Sequence, residues 1–310
     1  MKLKRIPFFA TIFISLFLIS CSENNSDRKE DTIAVPDFTT IKNKEYFEVK
    51  RRFSNGLSFD TSGFQLEPLW ILNFQSNDSV MAFSSERARW HTFPILHDHD
   101  NVFNMVFEFF RVKSIHQDSL VFQRLEVRNN EVKQGYLSDV NMTFYSRDYI
   151  FNKLKTNPIA LQKPTKKDTL FINELIQKLD PKTGEKVPFA ARNIVQFIPK
   201  VNTVSASVEN KVSKVDGKNH SSLYMEPKYK ITINKSYKKF DYLFTAIIDE
   251  RGNIKINKVY GVLKDAEASR KKLLQGIADV YIKNLFKVIP GTTLGRPHAS
   301  EVEIYLIGRK

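Results

Sequence analysis

The chain has 310 residues, 42% of them hydrophobic, which is enough for more than one domain with a buried core. Its 25 Phe and 11 Tyr favour β-rich structure. The formal net charge is +14, but Lys and Arg are spread from Lys42 to Lys310 without a dense block, which argues against nucleic acid as a partner. A single cysteine cannot form an internal disulfide, so buried cores must supply the stability.

The first 20 residues have the composition of a signal peptide. Lys2, Lys4 and Arg5 form a positive start, and an almost entirely apolar run of about 14 residues follows, from Ile6 to Ile19. A helix of that length spans about 21 Å, which is less than the roughly 30 Å hydrocarbon core of a bilayer. We therefore expect residues 1–20 to be a cleaved signal peptide and not a membrane span.

The segment Leu18-Ile19-Ser20-Cys21 resembles the lipobox of bacterial lipoproteins, in which an aliphatic and a small residue precede the lipidated cysteine. The resemblance implies cleavage between Ser20 and Cys21. It also implies a thioether-linked diacylglycerol on the Cys21 sulfur and an acyl chain such as palmitate on its new amine. Several acyl chains give stable attachment to a membrane. The alternative is a plain secretory signal with an incidental cysteine.

Residues 21–44 are predicted to be a lipidated flexible tether. The stretch from Ser22 to Asp31 contains no apolar residue and cannot bury surface. Ser22 is compatible with sorting to the outer membrane, and Glu23 and Asp27 resemble the acidic surface-export signals of Bacteroidota lipoproteins. We therefore expect an outer-membrane lipoprotein that faces the periplasm or the cell surface, with membrane lipid as its first partner.

Residues 45–145 show short alternating runs separated by turn residues, which predict an antiparallel β meander of barrel-like or sandwich-like form. Trp70, Leu72 and Phe74 fall on one face of a predicted strand. Residues 102–113 are apolar on both faces, which predicts one strand buried on both sides. This aromatic run could line a cavity for a small apolar or lipidic ligand, or it could simply fill the core.

The segment His97-Asp98-His99-Asp100 is the one cluster with metal-ligand character. In a strand the two imidazoles would share a face and, with a carboxylate, could bind zinc in a metal-dependent envelope enzyme. Because the segment follows Pro94 and has the composition of an exposed turn, we predict no metal site, with His97 and His99 as the weak candidates. No hydrolase, zinc-protease or dinucleotide-binding motif occurs in the sequence, so we predict no catalytic residue and no cofactor besides the covalent lipid.

Residues 146–225 are predicted to be a connecting region of helices and strands. Asp168 is positioned to cap a helix that runs from residue 169 to residue 179. Two short apolar runs, residues 194–198 and residues 204–208, predict a pair of strands.

Residues 226–310 show the clearest pattern and predict a two-layer α+β domain. The strands 240–249 and 254–262 are joined by a tight turn in which Gly252 can take positive φ. A long helix is predicted over residues 265–288, and a final strand follows over residues 301–307. The predicted core stripe of the helix consists of Leu273, Leu274, Ile277, Val280, Tyr281 and Leu285.

This order of elements resembles the C-terminal domain of TonB-type energy transducers. The resemblance is carried by the helix stripe and by Asp249, Gly252, Pro290, Gly291, Gly295, Pro297 and Val302. In that family the last strand can pair with an extended segment of a partner, which implies a docking strand here. The implied docking strand consists of Glu301, Val302, Glu303, Ile304, Tyr305 and Leu306.

The chain departs from the transducer family at its N-terminal side. The family keeps an uncleaved membrane helix and a Pro-rich spacer, whereas this sequence has a short apolar segment and no Pro-rich stretch. We therefore predict a membrane-anchored envelope lipoprotein that acts by protein–protein contact. A β-domain that binds an apolar ligand is the first alternative, and a metal-dependent enzyme is the second.

Overall fold

The computed structural model describes residues 35–310 except residues 130, 134, 136, 137 and 210–219. A closed antiparallel barrel of eight strands is followed by a region of sheet and helix, which confirms the predicted β-rich α+β fold class. Ser20, Cys21 and the predicted signal peptide lie outside the described residues.

The barrel strands alternate between core-facing and outward-facing residues. They are β1 (Glu45–Phe53), β2 (Ile71–Ser76), β3 (Ser79–Ser84), β4 (Arg89–His99), β5 (Val102–Met105), β6 (Glu108–Ile115), β7 (Ser119–Leu125) and β10 (Val140–Ser146). A small ribbon, β8 (Val127–Arg128) with β9 (Glu131–Val132), lies between β7 and β10 in the chain. The barrel closes because β1 pairs with both β10 and β2. Closure leaves this sheet without an unpaired edge.

Large apolar side chains fill the barrel interior. Leu72 and Phe74 point inward with no exposed surface, and Trp70 packs against the same core, as the sequence predicted. The fully buried aromatic residues of this core include Phe38, Tyr46, Phe74, Phe110, Phe122 and Phe144. Their rings contact one another, for example Phe122 and Phe144 with ring centroids 5.5 Å apart. The barrel is therefore held together by close packing of its own side chains.

The prediction of one strand over residues 102–113 is wrong. The segment forms a hairpin, because Val106 and Phe107 take positive φ angles of 53° and 64° and reverse the chain between β5 and β6. Two residues with positive φ make the tight turn whose twist matches that of the flanking strands. Phe107, at the tip, is 86% exposed, so the continuous apolar run included a turn residue and did not mark a strand buried on both faces.

The predicted tether over residues 21–44 extends too far toward the barrel. A 3₁₀ helix, Phe38–Ile41, closes one end of the barrel, and Phe38 and Ile41 have no exposed surface. The Phe38 N–H donates to Asn77 Oδ1 at 2.7 Å, and the Phe38 ring stacks on Phe74 at 4.8 Å. The two apolar residues of this short segment are enough to bury it, although its surroundings in the sequence are polar.

The connecting region packs on the outside of the barrel. It contains a π-helical turn, Tyr149–Lys153, and two helices, α1 (Pro158–Leu161) and α2 (Lys166–Gln177). The cap of α2 is Thr165 and not Asp168 as predicted. Asp168 occupies the third helical position, and its carboxylate accepts a hydrogen bond from the Thr165 N–H in a capping box, so the helix begins about one turn earlier than predicted.

The C-terminal region is built on an open five-stranded sheet. In spatial order its strands are β12 (Val204–Val208), β13 (Lys228–Ile233), β19 (Ser300–Gly308), β14 (Phe240–Ile248) and β15 (Ile254–Val259). Smaller elements complete the region: β11 (Gln196–Pro199), α3 (His220–Met225), β16 (Phe286–Ile289), β17 (Thr292–Thr293) and β18 (Arg296–Pro297). Residues 194–198 and 204–208 do not pair with each other as predicted, because β11 pairs with β16 and β12 pairs with β13.

One long helical segment covers one face of this sheet. It consists of α4 (Lys264–Ile277), a π-helical turn (Ala278–Ile282) and α5 (Lys283–Leu285). Leu274, Ala278 and Ile282 face the sheet and are buried. The predicted core stripe is wrong for Leu273, which is 46% exposed, and for Val280, which is 60% exposed. The helix also ends before the predicted residue 288, because residues 286–289 pair with β11.

Candidate docking site

The predicted docking strand lies at the centre of the sheet. Strand β19 pairs in parallel with β13 and antiparallel with β14, so its backbone groups are used on both sides. Val302, Ile304 and Leu306 face the core as predicted, whereas the prediction of an available edge at residues 301–306 is wrong. The alternation of the strand was visible in the sequence, but its position among the other strands depends on a parallel pairing with a distant strand.

The two outer strands of the sheet are β15 and β12, and side chains occupy the edge of β15. Gln275, on α4, accepts a hydrogen bond from the Ile256 N–H at 3.0 Å and donates to the Ile254 carbonyl at 2.9 Å. One amide side chain thus satisfies one outward-facing donor and one outward-facing acceptor of this strand. Lys255 and Lys258 add positive charge along the strand, and Lys255 forms an ion pair with Glu185. These are the usual means by which proteins protect a sheet edge.

Strand β12 has a free backbone edge among the described residues. Hydrogen bonds from Glu209 N to Lys228 O and from Asn234 N to Thr203 O, both 2.8 Å, fix the phase of its pairing with β13. Every second residue of an antiparallel strand points its N–H and C=O away from its neighbour. In β12 these are Val204, Ala206 and Val208, and no described residue bonds to their outward-facing groups. This edge was not identified from the sequence, because residues 204–208 were assigned a wrong partner.

The side chains of β12 leave this edge accessible. Val204 and Ala206 face the core cluster, and Val208, on the same side, is 46% exposed. Ser205 and Ser207 face the opposite side and are exposed. The strand also contains no Lys and no Pro, which are residues that commonly block the addition of another strand. A further strand laid along it would gain main-chain hydrogen bonds and would cover Val208.

A cleft of about 570 Å³ separates the loop before β2 from β11 and α3. Arg192 lies in this cleft, donates to Glu67 Oε1 at 2.5 Å and stacks over the Tyr224 ring at 4.2 Å. Burial raises the pKa of the Tyr224 hydroxyl, which accepts a hydrogen bond from the Gln65 N–H at 3.0 Å. The contacts of Arg192 with Glu67 and Tyr224 connect the two sides of the cleft. Because the Arg192 charge is paired with Glu67, it is not an unpaired cation for a ligand.

The aromatic run that could line a cavity for an apolar ligand packs in the barrel core. A second cleft, of about 530 Å³, is lined by residues such as Lys44, Arg147 and Phe151 at the barrel surface. Neither of the two clefts is lined by residues of the barrel core. Phe103 and Phe110, which the ligand hypothesis assigned to a cavity wall, are 3% and 1% exposed and pack in the core.

The weak metal candidates, His97 and His99, are used in local contacts at the end of β4. His97 Nε2 lies 2.9 Å from the Asp100 carbonyl, and His99 Nδ1 lies 2.5 Å from Asp98 Oδ2. A bulge between them interrupts the alternation that would place both imidazoles on one face. In the part of the chain that the structure describes, no group of three or more His, Cys, Asp or Glu residues is arranged to hold a metal ion.

A buried histidine that the sequence did not single out, His298, lies behind the sheet. Its ring stacks on Phe189 at 3.7 Å, and its two nitrogens lie 2.9 Å from Thr293 Oγ1 and 3.0 Å from the Ala299 carbonyl. Burial lowers the pKa of His298 below its usual value, so the ring is neutral near pH 7. With both nitrogens hydrogen-bonded inside the protein, the residue packs the loop between β16 and β19.

No helix among the described residues is long and apolar enough to span a membrane. No protein-family model and no curated protein matches the chain. The two edges of the C-terminal sheet differ, and the free edge of β12 is the surface feature that bears most directly on function.

Proposed function

We propose that this protein is a membrane-anchored lipoprotein of the bacterial cell envelope that acts by docking a protein partner and not by catalysis. The partner would contribute an extended segment that adds to β12 as a sixth strand of the C-terminal sheet. The free edge at Ala206 and Val208 carries this proposal, because the other edge of the same sheet is occupied by Gln275.

The chemistry of β12 indicates which segment it would accept. Main-chain groups of Ala206 and Val208 would supply hydrogen bonds that do not depend on the partner sequence. The half-exposed Val208 favours an apolar residue on the helix-facing side of the partner strand. Ser205 and Ser207 favour polar residues on the other side. An alternating segment of apolar and polar residues therefore fits this edge best.

The lipid on Cys21 would hold the docking domain at the outer membrane, facing either the periplasm or the cell surface. The lipobox at residues 18–21 supports this part of the proposal. A lipid anchor does not cross the bilayer and cannot receive work from a membrane motor, so recruitment suits the anchored chain better than energy transduction. The resemblance of residues 226–310 to the transducer C-terminal domain is consistent with docking through a sheet edge, though not through β19.

Site-specific photo-crosslinking in intact cells tests the docking edge. A photoreactive amino acid is placed at Ser207 on β12 or, as a matched position on the opposite edge, at Lys258 on β15. We expect a discrete adduct from position 207, in which the crosslinked partner peptide is one alternating segment, and none from position 258. Equal adducts from both positions, or none from position 207, would contradict the proposal.

A proline variant separates the edge from the fold. Ala206→Pro removes an outward-facing N–H and leaves the hydrogen bonds to β13 in place, because proline is tolerated on the open side of an edge strand. We expect the adduct from position 207 to disappear in this variant and to persist in Ser205→Ala, which leaves the backbone unchanged. The anchor is tested separately, since Cys21→Ser should abolish acyl-chain labelling and release the protein from membranes.

A further inference from the structure

Four cationic side chains gather at one end of the C-terminal sheet. They are exposed, and no ion pair joins any of them to another described residue. Three of them lie in the loop between β13 and β14, and the fourth follows β19, so distant parts of the sequence supply them. We call this group the cationic tip, and its members are Lys235, Lys238, Lys239 and Arg309. Between residues 229 and 248 the only acidic residue is Asp241.

Ser236 holds the two parts of the cationic tip together. It is 4% exposed, and its N–H donates to the Arg309 carbonyl at 2.8 Å. Its hydroxyl oxygen lies 2.6 Å from the Lys238 carbonyl oxygen and 3.0 Å from that of Arg309. The Arg309 N–H donates in turn to the Ile233 carbonyl at 2.8 Å. Because these bonds fix the backbone, the four cations stay at one end of the sheet although like charges repel, and an anionic surface would relieve that repulsion.

Two exposed residues add apolar surface to the cationic tip. Tyr237 is 68% exposed, and the Lys238 Nζ lies 5.5 Å from the centroid of its ring. Val201, in the loop before β12, is 42% exposed. That loop lies beside the tip, because the Asn234 N–H donates to the Thr203 carbonyl at 2.8 Å. A tyrosine has an apolar ring and a polar hydroxyl, which suits it to the headgroup level of a bilayer.

The opposite end of the same sheet carries the opposite charge. The turn from β14 to β15 contains Asp249 and Glu250 beside a single cation, Arg251. The Asp249 carboxylate accepts hydrogen bonds from the N–H groups of Arg251 and Asn253, at 2.9 and 2.8 Å. An anionic surface would therefore attract the cationic tip and repel the turn at the other end, which gives the sheet a preferred orientation on that surface.

We infer that the cationic tip binds the headgroups of an anionic phospholipid bilayer, with the Tyr237 ring among the headgroups. Each Lys or Arg close to such a surface strengthens binding about fivefold. The choice of lipid over other polyanions rests on the proposed function, because a chain anchored through Cys21 stays next to a headgroup layer. The β12 edge remains free in this arrangement, since its outward-facing groups lie along the side of the sheet and not at its end.

Sedimentation with lipid vesicles tests the inference in the lipid-free chain from Ser22 onward, because residues 35–310 form one compact unit. We expect binding to vesicles of equal parts phosphatidylglycerol and phosphatidylcholine, which weakens as salt is added, and no binding to phosphatidylcholine alone. The triple variant Lys235→Asn, Lys238→Gln and Lys239→Gln should bind about 100-fold more weakly. Asn is chosen at position 235 because φ there is 58°, a conformation that Asn tolerates.

The matched control removes the same number of exposed cations from another surface. It is the triple variant Lys163→Gln, Lys166→Gln and Lys178→Gln, in the connecting region. The two triple variants have the same net charge, so they separate the position of the charges from their sum. The affinity of the control for the vesicles should fall by less than about threefold. Both variants should unfold at the wild-type temperature, because every replaced side chain is exposed.

A fluorescent probe locates the contact on the chain. The lipid-free chain has no cysteine, since Cys21 is the single cysteine of the sequence. An environment-sensitive dye attached to Tyr237→Cys should shift its emission to shorter wavelength when the phosphatidylglycerol vesicles are added. The same dye on Glu250→Cys, at the opposite end of the sheet, should not shift.

The inference would be overturned by equal dye shifts at positions 237 and 250, or by equal losses of affinity in the two triple variants. Tighter binding of an acidic polysaccharide such as heparin than of the vesicles, through the same three lysines, would also overturn it. None of these results concerns β12 or Cys21, because the assayed chain carries neither a lipid nor a partner. If the anionic vesicles are not bound while the adduct from position 207 still forms, this inference is wrong and the docking proposal stands.

Discussion

The barrel and the C-terminal sheet solve the same problem in different ways. Both must satisfy the backbone groups of their outer strands. The barrel does so by closure, since β1 pairs with β2 and β10, and so no strand of it is left at an edge. The C-terminal sheet stays open. Gln275 bonds to one donor and one acceptor of the β15 edge, while the outward-facing groups of β12 have no described partner. Because the opposite edge of the same sheet is protected, the free edge of β12 is the place where a strand of another chain can add.

The largest expected effect concerns the closed region. Phe38→Ala removes a fully buried ring that stacks on Phe74 at the end of the barrel. We expect a loss of about 4 kcal/mol in the free energy of unfolding, from lost burial and the cavity left behind. Val35→Ala, at a position that is 57% exposed, should change it by less than about 0.5 kcal/mol. Equal effects in denaturant titrations of the two variants would show that residues 38–41 do not close the barrel.

The next effect concerns the hydrogen bonds by which Asp168 joins α2 to Arg52 and Ser58, which we call the Asp168 clasp. Burial raises the pKa of Asp168, but hydrogen bonds from Ser58, Arg52 and Thr165 outweigh it and lower the pKa to about 2. Asp168→Ala leaves the partly buried Arg52 guanidinium without its carboxylate partner and should cost about 3 kcal/mol in unfolding free energy. The barrel should weaken, whereas exchange of the β12 amides should not change.

The same clasp predicts a pH dependence with a defined sign. In an unfolded chain the pKa of Asp168 is 3.8, so its contribution to the unfolding free energy is fully present above pH 3.8. This contribution, about 2 kcal/mol, is lost as the pH falls toward 2. Asp168→Asn cannot titrate, so denaturant titrations of this variant should lose that part of the acid dependence. An unchanged slope between pH 3.8 and 2 would assign the acid sensitivity to other groups.

A smaller effect makes the protected edge resemble the free one. Gln275→Ala leaves the Ile256 N–H and the Ile254 carbonyl without a side-chain partner, which should cost about 1–2 kcal/mol. We expect the Ile256 amide to exchange with solvent much faster and strand pairing at β15 to appear as concentration-dependent association. Lys264→Ala, an exposed residue on the same helix, should have neither effect.

The smallest effect concerns His298 behind the sheet. Burial holds the pKa of its ring below 6.5, so the unfolded chain takes up a proton that the folded chain does not. The contribution of the neutral His298 ring to the unfolding free energy is therefore fully present above pH 6.5 and decreases as the pH falls below 6.5. His298→Phe keeps the stacking surface for Phe189 and removes the titration, and its unfolding free energy should vary less over this range. An identical pH dependence in both proteins would exclude His298 as the source.

The sequence was informative wherever a pattern is local. Alternation at Leu72 and Phe74 predicted a barrel strand, and the turn before β15 predicted positive φ at Gly252, which has φ of 81°. The position of β19 could not be predicted in this way, since it depends on a parallel pairing with β13 across the sheet. The protection of β15 by Gln275 likewise joins residues 19 to 21 positions apart. The free edge of β12 was not predicted, because whether a strand lies at an edge depends on the pairing of all the strands in the sheet and not on its own sequence.

Hydrogen exchange of single amides in the lipid-free, partner-free protein tests the central claim most directly. We predict that the Ala206 and Val208 amides exchange near the rate of an unstructured peptide, while the Ser207 amide, directed at β13, and the Ile256 amide, bonded to Gln275, are protected. Protection of Ala206 as strong as that of Ser207 would mean that the edge of β12 is already covered, and the proposed docking site would not exist.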